Sequence, residues 1–324
     1  MNQNELNLYL KHDNYYSGNI LINNPKPIYG QKEPQVSLLI DNEQEVEYSV
    51  IIPVHNQEEL IVGNVLSIIH NMVGDFELIM IFDSCDDNSE KLITDLFNDN
   101  DFSEYGLKRI ILINQPSPIF ETSCDNIGFR LSKGKYLLEI QADMRIITFG
   151  FNFLLSKPLR LWDDVISVSG RCTHQIISQN GQIGWGGGVG KMGEKVEKPV
   201  DLDFNNMNKF FILDTCNRGP LMFLKSKLEE MGFLDEQNFV LGEDEHDLNL
   251  RSKYMKNWVC GYVPVEYYSP IKWGTTRKEQ NPDNKDYFNK RKSRSNGGFL
   301  FNIGNHTPSQ LEVRDLNKIL NYRI

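Results

Sequence analysis

Cysteine is scarce and scattered in this chain. Cys85, Cys124, Cys172, Cys216 and Cys260 are odd in number, and the closest two stand 39 positions apart. No C-x-x-C occurs, which excludes a zinc knuckle or a dithiol redox motif and leaves free thiols in a reducing compartment as the expectation. No apolar run approaches the ~18 residues of a membrane span, and Met1-Asn-Gln-Asn-Glu5 lacks the basic and apolar regions of a secretory leader. The reading is a soluble cytoplasmic protein, with any hold on a membrane left to a partner. Positive charge is short as well: 34 Lys and Arg face 44 Asp and Glu, a formal net charge of −10. A surface built for nucleic-acid phosphates needs the opposite balance, so no nucleic-acid partner is expected. Internal repeats and low-complexity tracts are also missing.

What is present is a globular composition, 40% hydrophobic over 324 residues. A chain of this length buries about three quarters of its unfolded surface without staples. Residues 1–47 are polar and irregular, broken by Asn23-Asn-Pro-Lys-Pro27, and read as an N-terminal arm. From there strands and helices alternate. Ser49–Val54, Phe76–Phe82, Arg109–Asn114 and Tyr136–Ile140 are short apolar runs. Helical periodicity fills the intervals, with Leu60, Ile61, Val65, Ile68, Ile69 and Met72 three and four residues apart, then a helix to about Asn98 and a third over 123–133. Nearly continuous apolar strands alternating with helices predict an α/β fold with a mostly parallel central sheet covered on both faces. Ligands then sit beyond the carboxyl ends of the strands. His55 and Asn56, then Asp83, Asp86 and Asp87, and finally Asp143 lie there. Neither G-x-x-x-x-G-K nor G-x-G-x-x-G follows the first strand, against a P-loop nucleotidase and a dehydrogenase.

The second half is less regular. A glycine-rich loop, Gly184–Gly190, precedes an apolar strand at Leu221–Leu224 and a helix at 225–231. Leu241-Gly-Glu-Asp-Glu-His-Asp-Leu-Asn-Leu-Arg251 opens a helix running to about Trp258. The one basic stretch is 272–294, and 299–324 reads as apolar residues followed by a short amphipathic helix. The domains expected are the arm 1–47, a catalytic domain 48–270, and a basic loop with helical extension 271–324 packing on it.

The run Ser49-Val-Ile-Ile-Pro-Val-His-Asn56, the Asp-rich loop 83–89, Asp125-Asn-Ile-Gly128, Gly134-Lys-Tyr136, Gln141-Ala-Asp143 and the acidic motif after Gly242 together resemble glycosyltransferase family 2 in order and spacing. The resemblance covers 48–260. It implies the GT-A nucleotide-diphospho-sugar fold, a donor of the UDP-sugar type, Mn²⁺ or Mg²⁺, and transfer of a hexosyl or N-acetylhexosaminyl group with inversion. The acceptor would be a glycan, lipid or protein; the oligomeric state stays open.

On that reading, Pro53, Val54, His55, Asn56 and Glu58 line the base pocket. Asp83 accepts from the uracil imide or ribose, or else caps the helix that follows. Asn126, Gln141 and Ala142 complete the donor site, and Asp143 is the metal contact, a hard oxygen ligand suited to Mg²⁺ or Mn²⁺. Gln141 stands where the first Asp of D-x-D is usual. Arg218, Lys272 and Arg277 are candidates for the pyrophosphate. The family's E-D-x-D-L-x-x-R pattern puts the general base at Asp244 when read from Glu243, and at Glu245 when read back from Asp247 and Arg251. Asp244 is preferred because it shares a helical face with Asp247. Glu243 and Asp247, with Trp185, Gly186 and Gly187, are assigned to sugar or acceptor contacts. The rivals are a silent nucleotide-sugar-binding protein on the same fold and a sugar nucleotidyltransferase, which would want a basic glycine-rich loop after strand one.

Overall fold

A computed structural model describes residues 34–171, 175–177, 183–185, 208–236, 238–239, 241–269 and 312–317. The expected alternation is present. In chain order come β1 (Gln35–Asp41), β2 (Tyr48–Val54), α1 (Ile61–Asn71), β3 (Phe76–Asp83), α2 (Ser89–Asp99), β4 (Leu107–Gln115), α3 (Phe120–Leu131) and β5 (Tyr136–Glu139). Next are β6 (Arg145–Ile146), α4 (Phe151–Leu161), β7 (Val165–Ser169), β8 (Gln175–Ile177), β9 (Ile183–Trp185), β10 (Lys209–Leu213), β11 (Leu221–Leu224) and α5 (Lys225–Glu230). The chain then forms α6 (Asp244–Lys256), β12 (Val259–Tyr262), β13 (Tyr267–Tyr268) and β14 (Glu312–Asp315).

Ten strands make one sheet, ordered β1-β4-β3-β2-β5-β11-β7-β12-β10-β14. The block β4-β3-β2-β5 is parallel, as is β7 with β12, while the remaining neighbours run antiparallel. Side-chain alternation divides the core into two layers. Val50, Ile52, Val54, Leu78, Met80 and Phe82 face α1, α2 and α4 through Val65, Ile68, Ile93, Phe97 and Leu155. Ile51, Ile79, Ile81, Ile111 and Ile113 face the other way, onto Cys124 and Phe129 of α3, Leu228 of α5 and Leu248 of α6. Burial on both faces is why these strands read as unbroken apolar runs.

Two expectations for the ends of the chain change. The lead-in 1–47 is not irregular throughout, because Gln35–Asp41 forms β1 and pairs antiparallel with β4. Within 299–324, the described residues hold a strand in place of the expected amphipathic helix. β14 pairs with β10, and Arg314 grips Asp164 with both arms at 2.7 Å. Among the described residues no helix is long and apolar enough to cross a membrane.

Candidate active site

Loops at the carboxyl ends of the parallel strands are laced to one another. After β2, Asn56 donates to Asp86 Oδ1 at 2.6 Å and accepts from the Asp86 N–H at 3.0 Å. Asp87 accepts the Glu58 N–H at 2.9 Å, and the Glu58 carboxylate accepts the Asn88 N–H at 2.9 Å. His55 Nδ1 donates to the Asp83 carbonyl at 2.7 Å, and Val54 O accepts from the Cys85 thiol. Pro53 is half-buried beside them. Asn56 and Glu58 thus hold the first two edge loops in register. Ala142, after β5, is tied to α1 by Asn64 Nδ2 donating to its carbonyl at 2.8 Å.

Asn56, Ser84, Phe120 and Glu243 all adopt positive φ, between 47° and 71°. A left-handed backbone at a residue other than glycine is costly and gathers at functional edges. Here it sets the chain's exit from β2 and β3 and the starts of α3 and α6.

Asp83 is buried and its carboxylate is engaged: Oδ1 accepts the Ile119 N–H and Oδ2 the Phe120 N–H, both at 2.8 Å. The helix it caps is α3, not the α2 that follows it. A carboxylate at these open N–H groups also meets the positive end of the helix dipole. Asn126 is likewise spent on structure. Its amide donates to the Leu234 carbonyl at 2.9 Å and accepts the Leu234 N–H at 3.1 Å, so it does not offer its side chain to a donor. Asp247 accepts from Arg251 at 2.6 Å, and Arg251 donates to the carbonyls of Met231 and Phe233. That carboxylate, through Arg251, anchors α6 to the turn before it.

Arg218 departs furthest from expectation. It is 4% exposed and donates one arm to Asp125 on α3 and the other to Asp244 at the start of α6. Glu245 lies 3.5 Å from its Nε, and Glu121 and Glu139 lie 3.8 Å and 3.9 Å from its Nη1. One guanidinium therefore serves five carboxylates in a nearly dry environment. Burial first, and Glu245 second in the same sense, push Asp244 up to about 7 against the pull of Arg218. Asp125 and Glu139 lie well above the usual carboxylate range, again mainly through burial. Asp244 Oδ1, Glu245 Oε2 and Glu139 Oε1 have no hydrogen-bond partner among the described residues. Glu121 and Glu139 were not singled out from the sequence, and Asp125 entered only as the first residue of the Asp125-Asn-Ile-Gly128 motif. Glu139 had a signal, a lone charge inside the apolar run of β5.

Asp143 is half-buried, and burial with the nearby Glu121 pushes its carboxyl up to about 6, against the pull of Arg171. Gln141 donates its amide to Glu121 at 3.0 Å. An aspartate at 141 would set another negative charge against Glu121, so the amide suits its neighbour. Among the described residues no three His, Cys, Asp or Glu side chains are grouped to hold a metal ion. Asp143 fits a cation as a single hard ligand whose burial cost a positive charge would relieve, the other ligands coming from substrate and water. Glu243 is exposed at the start of α6, and Trp185 ends β9. Gly186, Gly187, Lys272 and Arg277 lie outside the described residues.

This architecture is the GT-A glycosyltransferase fold. GalNAc-T7, solved with UDP, GalNAc and Mn²⁺, matches at a TM-score of 0.50 and 12% identity over 70% of this chain and 44% of its own. Residues 1–349 of S. aureus TarS match at 0.48 and 12% identity over 69% and 60% of the two chains. A mannosyltransferase from Pyrobaculum calidifontis, in complex with GDP-Man and Mn²⁺, gives 0.47 and 13% over 71% and 58%. The matched region is thus 60% of the TarS chain's length. The model of the family named Glycosyl transferase family 2 matches residues 49–147, about a third of the chain. No curated protein matches the sequence.

Proposed function

We propose that the protein is an inverting glycosyltransferase that moves a hexosyl or N-acetylhexosaminyl group from a UDP-sugar to an acceptor hydroxyl. The observation that carries the reading is the gathering of three groups at one sheet edge: the laced loops after β2 and β3, Asp143 after β5, and the Asp244–Glu245 pair at the start of α6. The family match over 49–147 supports it, as does the likeness to a transferase solved with UDP, GalNAc and Mn²⁺.

In this reading the nucleotide seats against residues 53–58 and the loop after Asp83. Asp143 would hold Mn²⁺ or Mg²⁺, which would offset the charge that builds on the departing diphosphate. The acceptor oxygen attacks the anomeric carbon from the face opposite the diphosphate, and the carbon–oxygen bond to the diphosphate breaks as the new one forms. A carboxylate must take the acceptor's proton during that attack. Asp244, pushed up to about 7, is partly ionised at neutral pH and suits that role. Glu245 is the alternative, its Oε2 3.5 Å from Nε of the same guanidinium. The Gln141–Glu121 hydrogen bond gives the departure from D-x-D a reason other than loss of activity.

The test is UDP release and sugar transfer from a panel of UDP-sugars with Mn²⁺ and candidate acceptors. Asp244→Asn is expected to keep donor affinity and lose about 10²–10⁴-fold in turnover, the usual contribution of a positioned base. Normal turnover in Asp244→Asn with loss in Glu245→Gln would move the base to Glu245. Full turnover in both variants, or no transfer from any nucleotide sugar, would defeat the proposal.

A further inference from the structure

Arg218 bridges two elements that are far apart in sequence. Asp125 belongs to α3, inside the segment that matches the family, and Asp244 opens α6 beyond it. Both carboxylates are fully buried, and each takes one arm of the guanidinium. The other charged groups around the same guanidinium are Glu121 from α3, Glu139 from β5 and Glu245 on the helix of Asp244, all within 3.9 Å of it, with His246 against Glu245. A single cation cannot compensate five carboxylates where water is excluded, so they compete for it and some must hold protons. When two like groups share one partner, the charge on one sets the ionisation of the other.

We infer that Arg218 is a positioning residue for the base: its two arms fix the Asp244 carboxylate against α3 and make the ionisation of Asp244 depend on the charge carried by Asp125. This rests on the transfer reaction proposed above, with Asp244 as the base. In the cycle, the acceptor's proton passes to Asp244, and the guanidinium charge is then left to Asp125, so the cluster's charge is redistributed without a group leaving its place. Arg218 touches no reacting atom in this scheme. Its part is to hold one carboxylate still and ionised at the moment of attack.

Two substitutions move the base in opposite directions. Arg218→Gln removes the cation, and the acidic limb of the kcat/KM profile is expected to rise by at least one pH unit. Asp125→Asn removes the competing negative charge and keeps the side-chain volume, and the same limb is expected to fall. The KM for the donor should stay within about twofold in Asp125→Asn, because the loss belongs to the chemical step. A merely structural Arg218 would lower the rate or the stability and leave the limb in place. Limbs that do not move, or that move the same way in both variants, would overturn the inference. Where Arg218→Gln does not fold, Arg218→Lys, which keeps the charge but supplies one point donor for two partners, replaces it with an upward shift expected. A second readout needs no turnover: carboxyl titration by ¹³C NMR in the free protein, with the Asp244 signal assigned by its loss in Asp244→Asn. Opposite shifts of that signal without transfer would sustain the coupling and sink the enzymatic reading. Transfer with an unmoved signal would do the reverse.

Discussion

Gly128 leaves no room between α3 and β2. A Cβ built there would sit 2.4 Å from Ile51 Cγ2, and Ile51 is fully buried in the centre of β2. The β-branched Ile51 has few rotamers to yield with, so the helix must lift. Gly128→Ala is expected to destabilise the fold by about 1–3 kcal/mol, the usual cost of overfilling a packed core, as a lower urea midpoint at unchanged slope. An unchanged midpoint would mean that α3 is not seated on β2 as described. Gly134 is under the same constraint, with a Cβ there only 2.7 Å from the Ser49 backbone nitrogen. The glycines of Asp125-Asn-Ile-Gly128 and Gly134-Lys-Tyr136 are therefore packing residues, and Asn126 beside them ties α3 to Leu234. Motif membership predicted a donor contact at Asn126. What the position does is hold α3 where Asp125 can reach Arg218, and no linear pattern distinguishes the two.

Strand β1 shows how an element is held by charge at its end. Asp41 accepts from Lys133 Nζ at 2.8 Å and from Arg109 Nε at 3.1 Å, and Arg109 also pairs with the fully buried Glu77. Burial opposes ionisation of Asp41, but Lys133, the Glu43 N–H and Arg109 outweigh it and hold its carboxyl below the usual value of 3.8. A carboxyl depressed in the folded state stabilises above its unfolded pKa, and that contribution is lost as pH falls through the folded value. Amide protection in β1 is therefore expected to drop as pH falls below about 4, ahead of β2 and β3. Asp41→Asn should show the same loss at neutral pH; full protection in that variant would remove the ion pairs as the anchor. The central elements were legible because their periodicity comes from burial on two faces: β2 to β5 and α1 to α3 fall within a few residues of expectation. β1 and β14 were not, because each is fixed by a distant partner. The charged Glu312–Asp315 run carries no strand signal of its own and becomes a strand by pairing with β10. The start of α3 moved to Phe120 because its cap, Asp83, stands 36 residues before Ile119.

At the scale of the whole molecule, one sheet edge collects residues from both halves of the sequence. The acidic residues there were legible singly: Asp83 and Asp143 by their places after strands, and Asp244 and Glu245 by the motif at the start of a helix. Their organisation around Arg218 was not, because a cation among carboxylates 26 to 97 residues away is a product of topology. The base register that the motif leaves ambiguous is likewise a question of which carboxylate the guanidinium holds. Whether Asp143 and Mn²⁺ together hold a nucleotide-diphospho-sugar is decided by thermal unfolding with UDP-sugars and GDP-sugars, each with Mn²⁺ and with chelator, in the wild type and in Asp143→Ala. Ligand at 100 times its Kd should stabilise the fold by about 2.7 kcal/mol. A rise in Tm is expected with the UDP-sugars, one that needs Mn²⁺ and disappears in Asp143→Ala. No rise with any nucleotide sugar, or a rise indifferent to both Mn²⁺ and Asp143, would contradict it.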